Sequence, residues 1–233
     1  MKKMIFAAVA LMALMTSCHV GNFRCSRSQK NLVEDSRQLT GFERIELLGS
    51  LDVKYLQADS FSVVVKAPKE VVDKVETRVV NHTLVVNMKG ENTLINFGVS
   101  DSDDVSVWVT SPDFLGIVVR GSGDFDSESL VDTDTLDIEL NGSGDIEFDN
   151  IICDRMNVNL VGSGDVEVRN VKTQWSDVNL VGSGDIKIKF DDSGVVESKL
   201  VGSGDITLKG IVRDFRSQVR GSGDMDTDEL RTR

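Results

Sequence analysis

Six aspartates recur at near-constant spacing in the second half of the chain. They are Asp124, Asp145, Asp165, Asp185, Asp205 and Asp224, and each closes a Gly-Ser-Gly-Asp tetrapeptide. The tetrapeptides begin at Gly121, Gly142, Gly162, Gly182, Gly202 and Gly221, at intervals of 21, 20, 20, 20 and 19 residues. A period that strict stacks one structural unit on itself and puts the six carboxylates in one column. Such a column can fix turns by accepting backbone amides, coordinate calcium, or supply acid and base for glycosidic cleavage. Turn formation is the expected role. Calcium is the alternative, and the six aspartates are its candidate ligands. Known Gly- and Asp-rich calcium repeats are nonapeptides, however, and one Asp per coil is thin for a cation that takes about six to eight oxygens. Catalysis needs a local pair in unlike environments, whereas these acids recur on every coil.

The elements that position the column are legible as alternation. Val158, Leu160, Gly162, Gly164, Val166 and Val168 share one phase. The same pattern runs through Ile138, Leu140, Ile146 and Phe148, and through Val178, Leu180, Ile186 and Ile188. Period two means extended strand with one buried face. About 20 residues suit a coil of three short strands and three corners, with successive coils paired in parallel about 4.8 Å apart. The fold class is all-β: a right-handed parallel β-solenoid, with six corners spanning about 24 Å of axis. Proline is nearly absent, with only Pro68 and Pro112, which fits unbroken ladders. A second apolar column is expected at Leu130, Ile151, Val171 and Ile211, with Asp191 breaking it and Phe190 compensating. Before the tetrapeptides stand Arg120, Asn141, Val161, Val181, Val201 and Arg220. Strand phase points this row outward, where the valines and the two arginines form a candidate interaction stripe. The expectation from residue type is the opposite: the corner shifts the phase and the valines are core.

In the front half, Leu47-Leu48-Gly49-Ser50-Leu51-Asp52-Val53 matches the strand–corner–strand pattern, with Leu51 at the second glycine. It reads as a degenerate coil. Further strands are expected over 61–66, 83–88 and 105–110. Residues 69–80 fit a short helix or a strand, and 90–104 is a polar, acidic loop. The domain reading is therefore a degenerate β-rich section or cap at 41–115, a regular solenoid at 116–226 and a charged tail at 227–233. Both flanks would shield the ends of the stack.

The start of the chain carries an address. Lys2 and Lys3 precede the apolar run from Met4 to Met15, too short to span a membrane and suited to a secretory signal. Met15-Thr16-Ser17-Cys18 then resembles the lipobox of bacterial lipoproteins. Residues 1–17 are expected to be a signal peptide, Cys18 the lipidated residue, and 18–40 a flexible tether. Membrane attachment then comes from acyl chains, and the place is the outer membrane of the cell envelope. The absence of an acidic cluster just after Cys18 favours the periplasmic face; the surface-exposed face remains the alternative. Removing 1–17 takes the net charge from −12 to −14, which disfavours nucleic acid as a partner. Cys25 and Cys153 suggest neither a disulfide framework nor a zinc site.

No enzyme is legible. His19 lies in the tether and His82 in a turn, and no Gly-Lys-Ser/Thr follows the glycines. Asp101, Asp103 and Asp104 form the one irregular acidic cluster, best read as a solvated loop. Trp108, Trp175 and Tyr55 are few for a sugar platform, since aromatics are 6% of residues. Trp175, in a corner, reads as core filler or a lone stacking residue.

A lipoprotein-like start, a β-rich front ending in Val107-Trp108-Val109-Thr110-Ser111-Pro112-Asp113-Phe114-Leu115, and then Gly-Ser-Gly-Asp coils resemble the putative auto-transporter adhesin, head GIN domain family of Gram-negative bacteria. The resemblance covers roughly residues 41–226. It implies a secreted β-solenoid with an adhesive or surface role, and brings no catalytic or binding residues. The expected function is a non-enzymatic envelope lipoprotein, without a firm cofactor, whose solenoid binds a protein or glycan. The alternatives are a periplasmic structural component and, less favoured, a polysaccharide-active enzyme.

Overall fold

A computed structural model describes residues 32–90 and 105–233. In chain order the strands are β1 (Leu32–Arg37), β2 (Arg44–Gly49), β3 (Asp52–Gln57) and β4 (Ser62–Pro68). One 3-10 turn (Val72–Lys74) leads into β5 (Val75–Val80), β6 (Thr83–Met88), β7 (Ser106–Ser111) and β8 (Gly116–Gly121). Five long strands follow: β9 (Phe125–Gly142), β10 (Asp145–Gly162), β11 (Asp165–Gly182), β12 (Asp185–Gly202) and β13 (Asp205–Gly221). Two short strands, β14 (Met225–Asp226) and β15 (Leu230–Thr232), end the chain.

The long strands stack in parallel, with Asp145 opposite Asp165, Asp165 opposite Asp185 and Asp185 opposite Asp205. Each is one coil of the solenoid. In β10 the buried residues are Ile146 and Phe148, then Ile151 and Cys153, then Met156, Val158 and Leu160. The alternation slips by one residue at Asp149 and Asn150, and again at Asp154 and Arg155. Those slips are two corners, and Gly-Ser-Gly is the third. Three flat segments and three corners per coil are thus what the period of 20 encodes.

The irregular intervals have local causes. Register between β9 and β10 jumps at Phe148 and Asn150, so Glu128 and Ser129 form a bulge that absorbs the extra residue of the 21-residue interval. The bulge turns Leu130 outward, 47% exposed, and Val131 pairs with Ile151 instead. The second apolar column is therefore Val131, Ile151, Val171 and Phe190. Phe190 does compensate for Asp191. Ile211 is not in the column: it is 43% exposed, and Gly210 pairs with Phe190. Where the β11–β12 register breaks, the buried Ser193 hydroxyl accepts from Thr173 N–H at 3.1 Å and donates to Val171 C=O at 3.1 Å, replacing lost ladder bonds.

The front section is both coil and cap. β2 pairs with β8 in parallel, with Gly49 opposite Gly121, and Val53 of β3 pairs with Phe125. The segment from Leu47 to Val53 is thus a coil, as its pattern predicts. β6 and β7 form the next layer out, parallel to β2 and β3. Antiparallel β5 on β6, and β4 then β1 on β7, cover that end. Residues 69–80 resolve into the 3-10 turn plus β5. Leu32–Arg37 pairs with β4, so the expected tether through residue 40 gives way to a strand there. At the other end β14 and β15 pair with β13, so 227–233 is more than a charged tail. Tyr55, Phe114, Phe125 and Phe148 stack along the axis, with successive ring centroids 4.1, 5.9 and 5.3 Å apart, joining cap to solenoid.

Candidate functional site

The Gly-Ser-Gly-Asp corner is a hydrogen-bonding device. The first glycine adopts positive φ, +141° at Gly182, and a Cβ there would lie 2.0 Å from the carbonyl oxygen of Gly162. That carbonyl accepts the N–H of Ser183 at 2.9 Å, which holds the coils at contact. The serine contributes its main chain; the side chains of Ser143, Ser163, Ser183 and Ser203 are exposed. The second glycine is equally confined, since a Cβ at Gly184 would lie 1.9 Å from Gly164 O. Each aspartate then accepts the N–H of the next: Asp145 N to Asp124 Oδ1 at 2.9 Å, Asp165 to Asp145 at 3.1 Å and Asp185 to Asp165 at 3.0 Å. Asp205 to Asp185 at 3.2 Å and Asp224 to Asp205 at 3.0 Å continue the ladder. Among the described residues, no group of three or more His, Cys, Asp or Glu converges as a metal site.

Drawing a carboxylate out of water beside its like-charged neighbours has a cost, and Asp145 shows it. Burial pushes its pKa up, an amide bond from Asp165 N–H pulls it back, and the charges of Asp124 and Asp165 raise it further. Its folded pKa lies above the unfolded value, so its contribution to stability is fully present below the unfolded pKa and lost as pH rises through the folded one. At neutral pH the charge works against folding. Asp145→Asn keeps the acceptor and removes the charge, and is expected to raise Tm at pH 7. The gain should shrink on acidification into the carboxylate range, as followed by circular dichroism. Adding NaCl should stabilise the wild type by screening, and CaCl2 no more than NaCl at equal ionic strength; a larger calcium effect would restore the cation reading.

On the opposite side of the corner the valines face solvent. Val161 is 48% and Val181 46% exposed, Val201 is half-buried, and Arg120 and Arg220 are exposed at the ends of the row. Strand phase holds through the corner, overturning the expectation that residue type places them in the core. Val181→Asp is therefore expected to cost about 1 kcal/mol or less, whereas Val178→Asp, at a fully buried position, should prevent folding. Thermal denaturation of the two variants checks this.

A third feature lies on the sheet face formed by β7, β3 and β9, where a cleft of about 360 Å³ is lined by Lys54, Leu56, Trp108, Asp126, Glu128 and Ser129. Trp108 is 44% exposed between buried Val107 and Val109. The alternation around it in sequence was the signal that it points outward. Trp175 is half-buried in a corner, with the Arg155 guanidinium 5.6 Å from its ring centre. His82 follows Asn81 in a turn with φ of +60° and +49°, joining β5 to β6. Cys153 is buried, and that burial pushes its thiol up to about 11, which makes it inert. Cys18, Cys25, His19 and the cluster of Asp101, Asp103 and Asp104 lie outside the described residues.

Comparison with known proteins places this architecture. The profile of the putative auto-transporter adhesin, head GIN domain family matches residues 41–170 and 158–233. The chain belongs to this family. Solved structures share the fold. A putative adhesin from Bacteroides fragilis superposes with a TM-score of 0.69 at 22% identity, covering 84% of this chain and 97% of that one. A putative lipid binding protein from Parabacteroides distasonis gives 0.66 at 18% identity, over 85% and 97%. A putative adhesin from the same species gives 0.58 at 18% identity, over 85% and 97%. No curated protein matches. Family membership covers the Gly-Ser-Gly-Asp coils and the front section alike, so the corner chemistry above belongs to a head GIN solenoid.

Proposed function

We propose that this head GIN protein is a non-enzymatic lipoprotein of the cell envelope, anchored in the outer membrane through acyl chains on Cys18, whose solenoid is an adhesion surface. The observation that carries the reading is the aspartate ladder. The acids that dominate the repeat are engaged with backbone amides on every coil, which makes them scaffold. A scaffold of this kind repeats its outward chemistry at the spacing of the ladder. Within this reading the row from Arg120 through Val161, Val181 and Val201 to Arg220 is a line for protein contact, apolar in the middle and cationic at its ends. The family name supports adhesion as the role.

Protease shaving of intact cells tests the reading, with immunodetection of residues 41–233 and a periplasmic protein as integrity control. Loss of the domain while the control survives is the result the adhesion reading requires, against the periplasmic face that the residues after Cys18 favour. Full protection would place the domain on the periplasmic side and replace adhesion by a structural role there. Globomycin-sensitive processing, or palmitate labelling lost in Cys18→Ala, checks the anchor separately.

A further inference from the structure

We propose that the cleft beside Trp108 binds an uncharged sugar, which makes the ligand of this protein a neutral glycan. The inference deepens the adhesion reading by naming a ligand class, but the site stands on its own geometry.

The indole is held in place before any ligand arrives. Its Nε1 donates to Ser106 Oγ at 3.2 Å, and the ammonium groups of Lys66 and Lys54 sit 4.6 and 5.9 Å from the ring centre. Lys54 is itself held by Asp126 at 3.1 Å and Lys66 by Glu34 at 3.0 Å. Trp108 and the 49% exposed Leu56 form an apolar floor. Across from them stands the β9 bulge, which supplies Glu128 and Ser129. Glu128 is exposed and makes no ion pair among the described residues.

Flat aromatic floor and hydrogen-bonding wall select the ligand. A pyranose offers a face of C–H groups to the indole and a rim of hydroxyls to the exposed Glu128 carboxylate. An acyl chain fills the floor but gives the Glu128 carboxylate at its edge no hydrogen-bond partner. An anionic ligand meets the unpaired Glu128 carboxylate, while the nearby lysine charges are already paired. The volume of about 360 Å³ lies at the small end of ligand pockets, in keeping with a short oligosaccharide segment.

The test uses the full chain on an array of neutral and acidic oligosaccharides, with phosphatidylcholine vesicles as the lipid arm. Neutral glycans should bind, and titration of the best one should shift tryptophan emission to the blue. Trp108→Ala is expected to weaken binding at least tenfold and Glu128→Gln several-fold. Trp175→Phe should retain it. Trp108 and Glu128 are exposed, so unchanged melting temperatures will show that the variants fold. No binding of any neutral glycan, binding indifferent to Trp108→Ala, or Trp108-dependent binding of vesicles or acidic glycans instead would each overturn the proposal. Shaving separates the two readings: glycan binding by a fully protected domain sinks surface adhesion and leaves the site, and the reverse result does the opposite.

Discussion

Replacing Gly182 with alanine is expected to lower stability by more than about 3 kcal/mol, enough to unfold a marginal domain. Two penalties coincide there. The backbone sits at φ +141°, and the added methyl would fall 2.0 Å from Gly162 O. The neighbour cannot yield, because that carbonyl is main chain and holds the Ser183 N–H. Opening the gap would separate two coils along a ladder that runs the length of β10 and β11. Gly49 is the natural control. It has φ +95°, yet nothing lies within 4 Å of its Cβ position, so Gly49→Ala should cost only the backbone strain, about 1–2 kcal/mol. Urea denaturation followed by circular dichroism decides between them. Equal losses at the two positions would mean that φ alone selects glycine and that the stacked carbonyls do not.

Truncating Phe125 is the second large effect. This ring is 1% exposed, and it lies 5.9 Å from Phe114, 5.3 Å from Phe148 and 6.2 Å from Tyr55. Its backbone pairs with Val53 below and Ile146 above. Phe125→Ala empties the place where the capping section meets the regular coils, and should cost about 3–5 kcal/mol. Phe125→Leu keeps most of the volume and should cost less than about 1.5 kcal/mol. A repeat stack is stabilised through nearest-neighbour interfaces. The alanine variant should therefore also broaden or split the thermal transition, as seen by calorimetry, while the leucine variant melts in one step. A single sharp transition in both would show that the interface at Phe125 is no weaker than the others.

The regular half of this protein could be read before it was seen. Alternation and a 20-residue period suffice there because each coil repeats the previous one, so a local pattern is also the global one. The corner was legible for the same reason: glycine where nothing else fits, and an aspartate column where amides need acceptors. The degenerate coil at Leu47 to Val53 kept enough of the pattern to be recognised, although Leu51 stands at its second glycine.

What the sequence left open was decided by contacts between distant edges. β2 and β3 lie between β8 with β9 on one side and β6 with β7 on the other, an order that chain order does not suggest. Strand pairing of that kind depends on which edges remain to be covered once the stack has formed. The bulge at Glu128 and Ser129 exchanged Leu130 for Val131, because one extra residue in a ladder reverses the side that follows it. The outward valines were a conflict between phase and residue type, and phase prevailed because each coil's hydrogen bonds fix it on both sides. The Trp108 cleft needed most from tertiary structure. Its indole, lysines and carboxylates come from four strands spread over residues 54–128, and only the parallel and antiparallel pairing around β7 brings them to one face.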